Sequence, residues 1–369
     1  MSTDIPSSIT SHFSTNGVHI AKPSNYVERL LKKAMGKKRW SDWELLHMKH
    51  EIGKVEKPDI YGFLSTLQEA HLAFSFQWKL MLENHIWLAT KLSEHYKEGM
   101  LIGELGCCTG LFVDWIALNF PNSAIIGFDS LPSLLNIANS SYRRENISFI
   151  NWDYRQNYPN GLEKVDCLLS AFGIDFLPNS NFHEATDPSK IDSSERYIFC
   201  KNEAVKYFNA WRQAANDECL LFSTLRISSY CHFLALVDAA EDCGWRLVID
   251  QSAKLKADEE VVPAMVFTTL TTKKSSWAEL LAFWCQGIDE LKANKILYDA
   301  EAVYAFLNLE EKEMKVSEDY TFDDGHTMVT SLGTTKQFGF SYSMATTGFA
   351  RLEIVPKNQF ENLRIRFQW

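Results

Sequence analysis

The sequence predicts an α/β fold centred on a doubly wound, mostly parallel sheet of seven strands with a terminal antiparallel hairpin. Two observations carry this prediction. Between residues 100 and 272, short apolar β-type runs alternate with helix-length segments, which is typical of parallel strands joined by crossover helices. The last two runs have only a polar stretch between them, which indicates a hairpin with one strand antiparallel to the rest.

The predicted strands and helices follow one another in a regular order. The strands are MLIGEL (100–105), SAIIGFD (123–129), ISFINWD (147–153), VDCLLSAFG (165–173), ECLLFSTLRI (218–227), WRLVIDQ (245–251) and PAMVFTTL (263–270). The clear helical segments are 110–119, 131–144, 201–216 and 229–243. Because helices cover both faces of a parallel sheet, its strands can be apolar throughout.

The segments on either side of this core differ from it in pattern. Residues 1–24 are rich in Ser and Thr and are expected to form a flexible tail. Residues 25–98 are predicted to form a helical N-terminal cap, since apolar residues recur at helical spacing between positions 63 and 96. Residues 99–272 are the predicted core domain. Residues 273–369 are a C-terminal α+β extension of unknown role, with helical patterning over 277–308 and the β-like runs TMVTSLG, FGFSYSMATTG, FARLEIV and LRIRFQW.

Composition excludes several classes of protein. The chain has 369 residues with 46% hydrophobic residues, which is enough to bury a core and argues against a mainly disordered chain. Its net charge of -10 weighs against a surface that grips nucleic acid or an anionic membrane. No apolar run is long enough to cross a bilayer, and eight scattered Cys without a C-x-x-C pair predict reduced thiols in a cytoplasmic protein.

The most informative segment is Glu104-Leu-Gly-Cys-Cys-Thr-Gly110, which lies between the first predicted strand and a helix. Gly106 permits a sharp turn that residues with a Cβ disfavour. Gly110 allows close packing of the helix and leaves room for a ligand, while the helix N-terminus attracts an anionic group. Asp129 and Asp153 end the second and third runs, so three acids lie at the strand ends that form the ligand crevice of such sheets.

With these residues in place, the chain resembles the class I S-adenosylmethionine-dependent methyltransferases, a Rossmann-like family. Residues 104–110 are similar to its first motif, Asp/Glu-Leu-Gly-Cys-Gly-Thr-Gly. IIGFDSLPSLLNIAN resembles its second-strand motif, NWD its third-strand acid and VDCLLSAFG its fourth strand, and the resemblance spans about residues 97 to 272. The nearest rival, a nicotinamide-dependent Rossmann enzyme, is expected to carry G-x-G-x-x-G, which this loop lacks.

The resemblance implies S-adenosylmethionine as cofactor and a set of binding residues, and no metal site is expected because the Cys and His residues lack zinc-site spacing. It implies that Gly106, Cys107 and Gly110 contact the methionine part through the backbone, and that Asp129 holds the ribose hydroxyls. It further implies that Asp153 with Trp152 or Tyr154 contacts adenine, and that the segment from Ser170 to Phe172 lies under the sulfonium. Glu104 and Ser130 complete the implied set. The family's middle glycine is Cys108 here, and its side chain is expected to crowd the cofactor.

No single catalytic base follows from the sequence. The candidates are His71 on the apolar face of the predicted cap, Asp175 and His183 after the fourth strand, and His232 in the helix that follows the fifth strand. The long polar connection after the fourth strand is a candidate lid or binding loop.

The sequence narrows the chemical class of the methyl acceptor. The fourth strand runs into SAFGID, without the Asn-Pro-Pro-Tyr type of motif or the Pro-Cys pair of DNA methyltransferases. The acidic charge and the 13% aromatic content favour a small-molecule acceptor methylated at oxygen or nitrogen. Two alternatives stay open: a protein methyltransferase with residues 273–369 as recognition module, and a non-catalytic cofactor-binding scaffold, for which Cys108 is the sequence support. No membrane or nucleic-acid partner is expected, and the C-terminal extension is a candidate homodimer surface.

Overall fold

The computed structural model describes residues 4–51, 54–55, 57–173, 193–227, 230–257, 260–271, 273–275, 277–284, 295–297, 313–322, 325, 327–334, 338–346 and 350–366. The chain divides into two compact units. The first comprises residues 1–180, 206–226 and 243–272, so the predicted cap and sheet belong to one unit. The second comprises residues 181–205, 227–242 and 273–369.

The first unit is built on an eight-stranded sheet. Its strands are β1 (Leu101–Leu105), β2 (Ala124–Asp129), β3 (Ile147–Asn151), β4 (Val165–Ala171), β5 (Ala215–Thr224), β6 (Arg246–Leu247), β7 (Ala253–Ala257) and β8 (Glu260–Thr268). The spatial order is β3-β2-β1-β4-β5-β8-β6, with β7 paired to β8. Strands β1 to β5 are parallel, and β8 is antiparallel to β5, β6 and β7. The Rossmann-like prediction is confirmed, and β7 adds an eighth strand from the stretch that was expected to be only a connection.

Eleven α-helices are described along the chain. They are α1 (Ile5–Thr15), α2 (Ser24–Glu51), α3 (Lys57–Gly62), α4 (Leu67–Phe74), α5 (Trp78–His95), α6 (Leu111–Asn119), α7 (Pro132–Ser141), α8 (Ser193–Ala214), α9 (Tyr230–Asp242), α10 (Trp277–Trp284) and α11 (Phe360–Arg366). Helices α6, α7, α8 and α9 correspond to the four predicted crossover segments. None of the helices in the described part of the chain is long and apolar enough to span a membrane.

The N-terminal segment corrects the expectation of a flexible tail. Helix α1 begins at an Asp4 cap, whose side chain accepts from the Ser7 amide at 3.2 Å. Ile9 and Phe13 lie one helical turn apart and are buried in the core that also holds α5 and α6. The Trp115 indole donates to the Ser8 hydroxyl at 3.1 Å. Two apolar side chains on one face are enough to dock this polar helix.

The cap helices enclose their own apolar core, formed by residues of α2, α3 and α4 together with α7. This cap core contains Val27, Leu31, Met35, Trp40, Trp43, Ile60, Leu64, Ala70, Leu72, Leu134 and Ile137. The single helix predicted over residues 63–96 is broken into α4 and α5 by a 3₁₀ turn at residues 75–77. Ser75 in that turn donates to the His71 carbonyl at 2.6 Å and accepts from the His19 amide at 2.8 Å.

The second unit contains an antiparallel sheet, the first part of α8, and the helices α9, α10 and α11. Its strands are β9 (Lys295–Leu297), β10 (Glu313–Thr321), β11 (Thr327–Thr334), β12 (Phe338–Ala345) and β13 (Ala350–Pro356), in the order β10-β11-β12-β13-β9. The α+β character of the extension is confirmed. The run LRIRFQW corrects one prediction, because its first residues form helix α11. Phe360 and Leu363, three residues apart, pack against Leu332 and Val355 of the sheet.

Candidate functional site

The loop between β1 and α6 forms a tight turn with three left-handed residues. Gly106, Cys108 and Gly110 have φ angles of 74°, 51° and 78°. The Gly106 and Cys107 amides both donate to the Phe128 carbonyl at the end of β2, at 2.8 and 3.0 Å. The loop is therefore held against the carboxyl end of β2, which is where a ligand crevice forms in this fold.

Asp129 ends β2 and anchors the loop through its side chain. One carboxylate oxygen accepts from the Cys108 amide at 2.8 Å, and the other accepts from the Leu131 amide at 2.9 Å. Burial raises the pKa of this carboxyl, and the backbone hydrogen bonds, including one from Ser130, oppose that rise. A carboxylate has about four lone-pair sites, so with three backbone donors Asp129 can still accept from a ligand hydroxyl.

Glu104 lies on β1 beneath the loop and is buried, with 4% of its surface exposed. Burial, and then the charge of Asp129, raise the pKa of this carboxyl to about 8, against a hydrogen bond from the Val113 amide. Its Oε2 atom has no hydrogen-bond partner among the described residues. An unpaired buried carboxylate oxygen is costly, so this atom fits a cationic or hydrogen-bond-donating ligand group.

The other loop side chains point into the protein. Cys107 is buried, and a Cβ on Gly127 of β2 would lie 2.8 Å from its Sγ. Cys108 is partly buried and packs against the cap core. A Cβ on Gly110 would lie 2.5 Å from the Phe149 ring, so Gly110 is required for packing of the loop on β3.

Of the residues predicted to contact adenine after β3, Asp153 pairs with a neighbouring arginine and Tyr154 reaches the loop. The Asp153 carboxylate forms a two-point ion pair with Arg155, with distances of 2.9 and 3.0 Å. The Tyr154 hydroxyl lies 3.4 Å from where a Cβ on Gly106 would be, so Tyr154 reaches the loop. Burial, and then Asp129, raise the pKa of its phenol.

Two aromatic residues beside Tyr154 were not predicted as site residues. The rings of Tyr207 and Trp211 on α8 lie 6.1 and 6.4 Å from the Tyr154 ring, measured between centroids. Their i, i+4 spacing on a helix was a visible pattern. This spacing alone does not indicate a functional site, because helices that only pack in the core show the same spacing.

The ends of β4 and β5 lie on the other side of β1 from β2. The Ser170 hydroxyl is buried and accepts from the Gly173 amide at 3.2 Å. Phe172 has a positive φ of 58°, and the Arg226 guanidinium lies 5.2 Å from the centre of its ring. Arg226 also donates to the Gln77 side chain at 2.9 Å. These contacts join the strand ends to the turn before α5.

The structure describes two of the four candidate bases, His71 and His232, and places them in different units. His71 is buried, with Nδ1 2.5 Å from the Asn16 carbonyl oxygen and Nε2 3.1 Å from the Thr109 hydroxyl, so both ring nitrogens are engaged. His232 is buried on α9 in the second unit. Asp175 and His183 lie outside the described residues.

Comparison with known proteins gives one match in sequence and several in structure. Residues 102–188 match the family model described as a methyltransferase domain. No curated protein matches the chain in sequence. Among solved structures, a SAM-dependent methyltransferase from Aquifex aeolicus is 15% identical, with coverage of 50% of this chain and 89% of that chain and a TM-score of 0.35. A precorrin-6y C5,15-methyltransferase from Geobacter metallireducens is 12% identical, covering 50% and 87%, with a TM-score of 0.33.

A 16S rRNA adenine methyltransferase from Catenulisporales acidiphilia is also similar, at 10% identity, with coverage of 51% of this chain and 91% of that chain and a TM-score of 0.36. The segment that matches the family model includes the loop of residues 104–110 (the glycine loop), Asp129, Asp153 and β4.

Proposed function

We propose that this chain, an S-adenosylmethionine-dependent methyltransferase, methylates an oxygen or nitrogen atom of a small molecule. The observation that carries the proposal is the position of the cap. Cys108 of the loop and Leu131 before α7 both pack against the cap core, so the loop is covered by protein on that side. An enclosed site suits a small acceptor, and the net charge of -10 weighs against a polyanionic one.

The residues of the loop fit the cofactor. Bound S-adenosylmethionine supplies a methyl group activated by a positively charged sulfur. The unpaired Oε2 of Glu104 suits an ammonium group, and the remaining lone-pair site of Asp129 suits a ribose hydroxyl. The amide end of α6, which starts at Leu111, suits a carboxylate.

The acceptor side is assigned to the ends of β4 and β5. Methyl transfer requires the acceptor atom to be held in line with the methyl group in a site that excludes water. Phe172 offers an apolar ring there, and Arg226 and Gln77 offer polar atoms that can orient an acceptor. His71 is not assigned as the base, because both of its ring nitrogens already have partners.

The function is tested with the purified full-length chain and isotopically labelled S-adenosylmethionine. The acceptors are separate panels of small phenols and amines, total RNA, and a protein extract, with label transfer measured by mass spectrometry. We expect transfer to a compound of the small-molecule panels. Transfer confined to RNA or to protein would contradict the proposed acceptor class. Failure of the chain to bind the cofactor in calorimetry would contradict the whole proposal.

Cofactor binding is expected to release close to one proton at pH 6.5. Glu104 is protonated in the free protein at that pH, because its pKa is raised from 4.5 to about 8. An ammonium group beside it favours the ionised form, so the carboxyl loses its proton on binding. The affinity should accordingly increase as the pH rises from 6 to 8. The same raised pKa means that the contribution of Glu104 to folding stability is lost as the pH rises from 4.5 through 8.

Titration calorimetry in two buffers of different ionisation enthalpy measures this proton. The matched variant is Glu104→Gln, which keeps the shape of the side chain and cannot ionise. We expect it to bind the cofactor at least about tenfold more weakly and to release no proton. Equal proton release by the wild type and by Glu104→Gln would exclude Glu104 as the group that pairs with the ammonium.

A further inference from the structure

The glycine loop is tied to the N-terminal segment through one imidazole. His71 on α4 lies between two partners that are far apart in sequence: its Nδ1 contacts the Asn16 carbonyl oxygen at 2.5 Å, and its Nε2 contacts the Thr109 hydroxyl at 3.1 Å. His71 and Thr109 are both fully or almost fully buried. Thr109 is the residue between Cys108 and Gly110, in the middle of the left-handed part of the loop.

The direction of both hydrogen bonds follows from the chemistry of the partners. A carbonyl oxygen only accepts, so Nδ1 of His71 carries the hydrogen that it donates to Asn16. Burial lowers the pKa of this imidazole, which keeps it neutral. Its Nε2 therefore has a lone pair, and the Thr109 hydroxyl donates to it.

The loop needs such a contact because its conformation is strained. Cys108 carries a Cβ at a φ of 51°, which costs about 1 kcal/mol or more and persists only where the surroundings hold it. Strand β2 holds the first half of the loop through Phe128 and Asp129. The contact from His71 holds the second half, directly before the amides at the start of α6.

We propose that His71 is a positioning residue for cofactor binding, which fixes Thr109 and thereby the turn at residues 106–110 in its binding conformation. This inference rests on the proposed function, because it assigns the cofactor to that turn. His71 acts through Thr109 and has no part in the methyl transfer itself. The N-terminal segment contributes by holding the imidazole in the tautomer that can accept from Thr109.

Two substitutions of His71 test its two hydrogen bonds separately. Asparagine places its amide nitrogen near the position of Nδ1, and glutamine places its amide oxygen near the position of Nε2. His71→Asn can therefore keep the bond to Asn16 and lose the one to Thr109, whereas His71→Gln can keep the bond to Thr109. Titration calorimetry with S-adenosylmethionine should show about tenfold weaker binding for His71→Asn, and binding within about threefold of wild type for His71→Gln.

Thr109→Val tests the same bond from the other side, because it keeps the shape and removes the donor. It should weaken binding about as much as His71→Asn, and the double variant should bind no more weakly than either single one. Ser75→Ala is the control. It removes the hydroxyl that accepts from the His19 amide of the N-terminal segment and donates to the His71 carbonyl, does not touch the imidazole ring, and should leave affinity unchanged.

The outcomes are distinct from those of the proposed function. If the wild type binds no cofactor, the proposed function fails. If the wild type binds and Thr109→Val binds equally well, or if His71→Asn and His71→Gln lose the same affinity, the positioning role of His71 is excluded while the proposed function stands. Thermal unfolding of every variant identifies any that does not fold, and Thr109→Val then decides.

Discussion

Replacement of Asp129 by alanine is expected to weaken cofactor binding by at least about a hundredfold. The carboxylate holds the Cys108 and Leu131 amides at 2.8 and 2.9 Å, so its loss releases both the loop and the start of α7. The proposed hydrogen bonds to ribose disappear at the same time. The two partly buried amides left without an acceptor should also lower the free energy of unfolding by about 2 to 4 kcal/mol.

Calorimetry and denaturant unfolding measure these two effects separately, and Asp166→Ala provides the matched control. Asp166 also accepts from a backbone amide, that of Leu101 at 2.7 Å, but it lies near the start of β4, at the end of the strands opposite to Asp129. Its replacement should lower stability and leave affinity unchanged. If both variants lost stability and affinity in the same proportion, Asp129 would have only a structural role.

Replacement of Gly110 by alanine is expected to lower the free energy of unfolding by about 2 to 4 kcal/mol. The φ of 78° is unfavourable for alanine, and the added Cβ would lie 2.5 Å from the Phe149 ring. That ring cannot move freely, because it is also close to Gly127 on β2. A displaced loop should in turn reduce cofactor affinity.

Gly161→Ala measures the cost of a positive φ for alanine without the steric clash that Gly110→Ala has with the Phe149 ring. Gly161 has a φ of 85°, and no atom of the described residues lies within 4 Å of its Cβ position, so only the backbone cost of about 1 kcal/mol applies. In urea unfolding, Gly110→Ala should therefore be the more destabilised variant. Phe149→Leu should recover part of the loss in the double variant. Equal losses for the two glycine substitutions would mean that the contact with Phe149 has no energetic weight.

The local patterns were predicted well where the physical cause is local. The strand and helix order from residue 100 to 272 follows from hydrophobic runs and glycine positions, and the structure confirms it. Helix α11 and helix α1 were missed for opposite reasons. The run LRIRFQW alternates like a strand, yet Phe360 and Leu363 share one helix face against the sheet. The segment around α1 is polar overall, and two buried residues, Ile9 and Phe13, are what dock it.

The candidate site divides in the same way. Glu104, Gly106 and Asp129 were identified because strand ends and glycine turns leave a signal in a short stretch of sequence. The packing of Cys108 against the cap core and the pairing of Asp153 with Arg155 became apparent only in the folded chain. Neither contact has a sequence pattern that distinguishes it from other arrangements of the same residues.

The acidic, aromatic-rich sequence by itself determined the class of fold, the glycine turn after the first strand and the acids at the strand ends, because periodicity and backbone freedom act between near neighbours in the chain. Only the tertiary structure decided how those residues are held. His71 and Thr109 are 38 residues apart, and His71 and Asn16 are 55 apart. Such contacts depend on how helices pack over the sheet, and that packing places His71, a candidate base in the sequence, in contact with Thr109 of the loop.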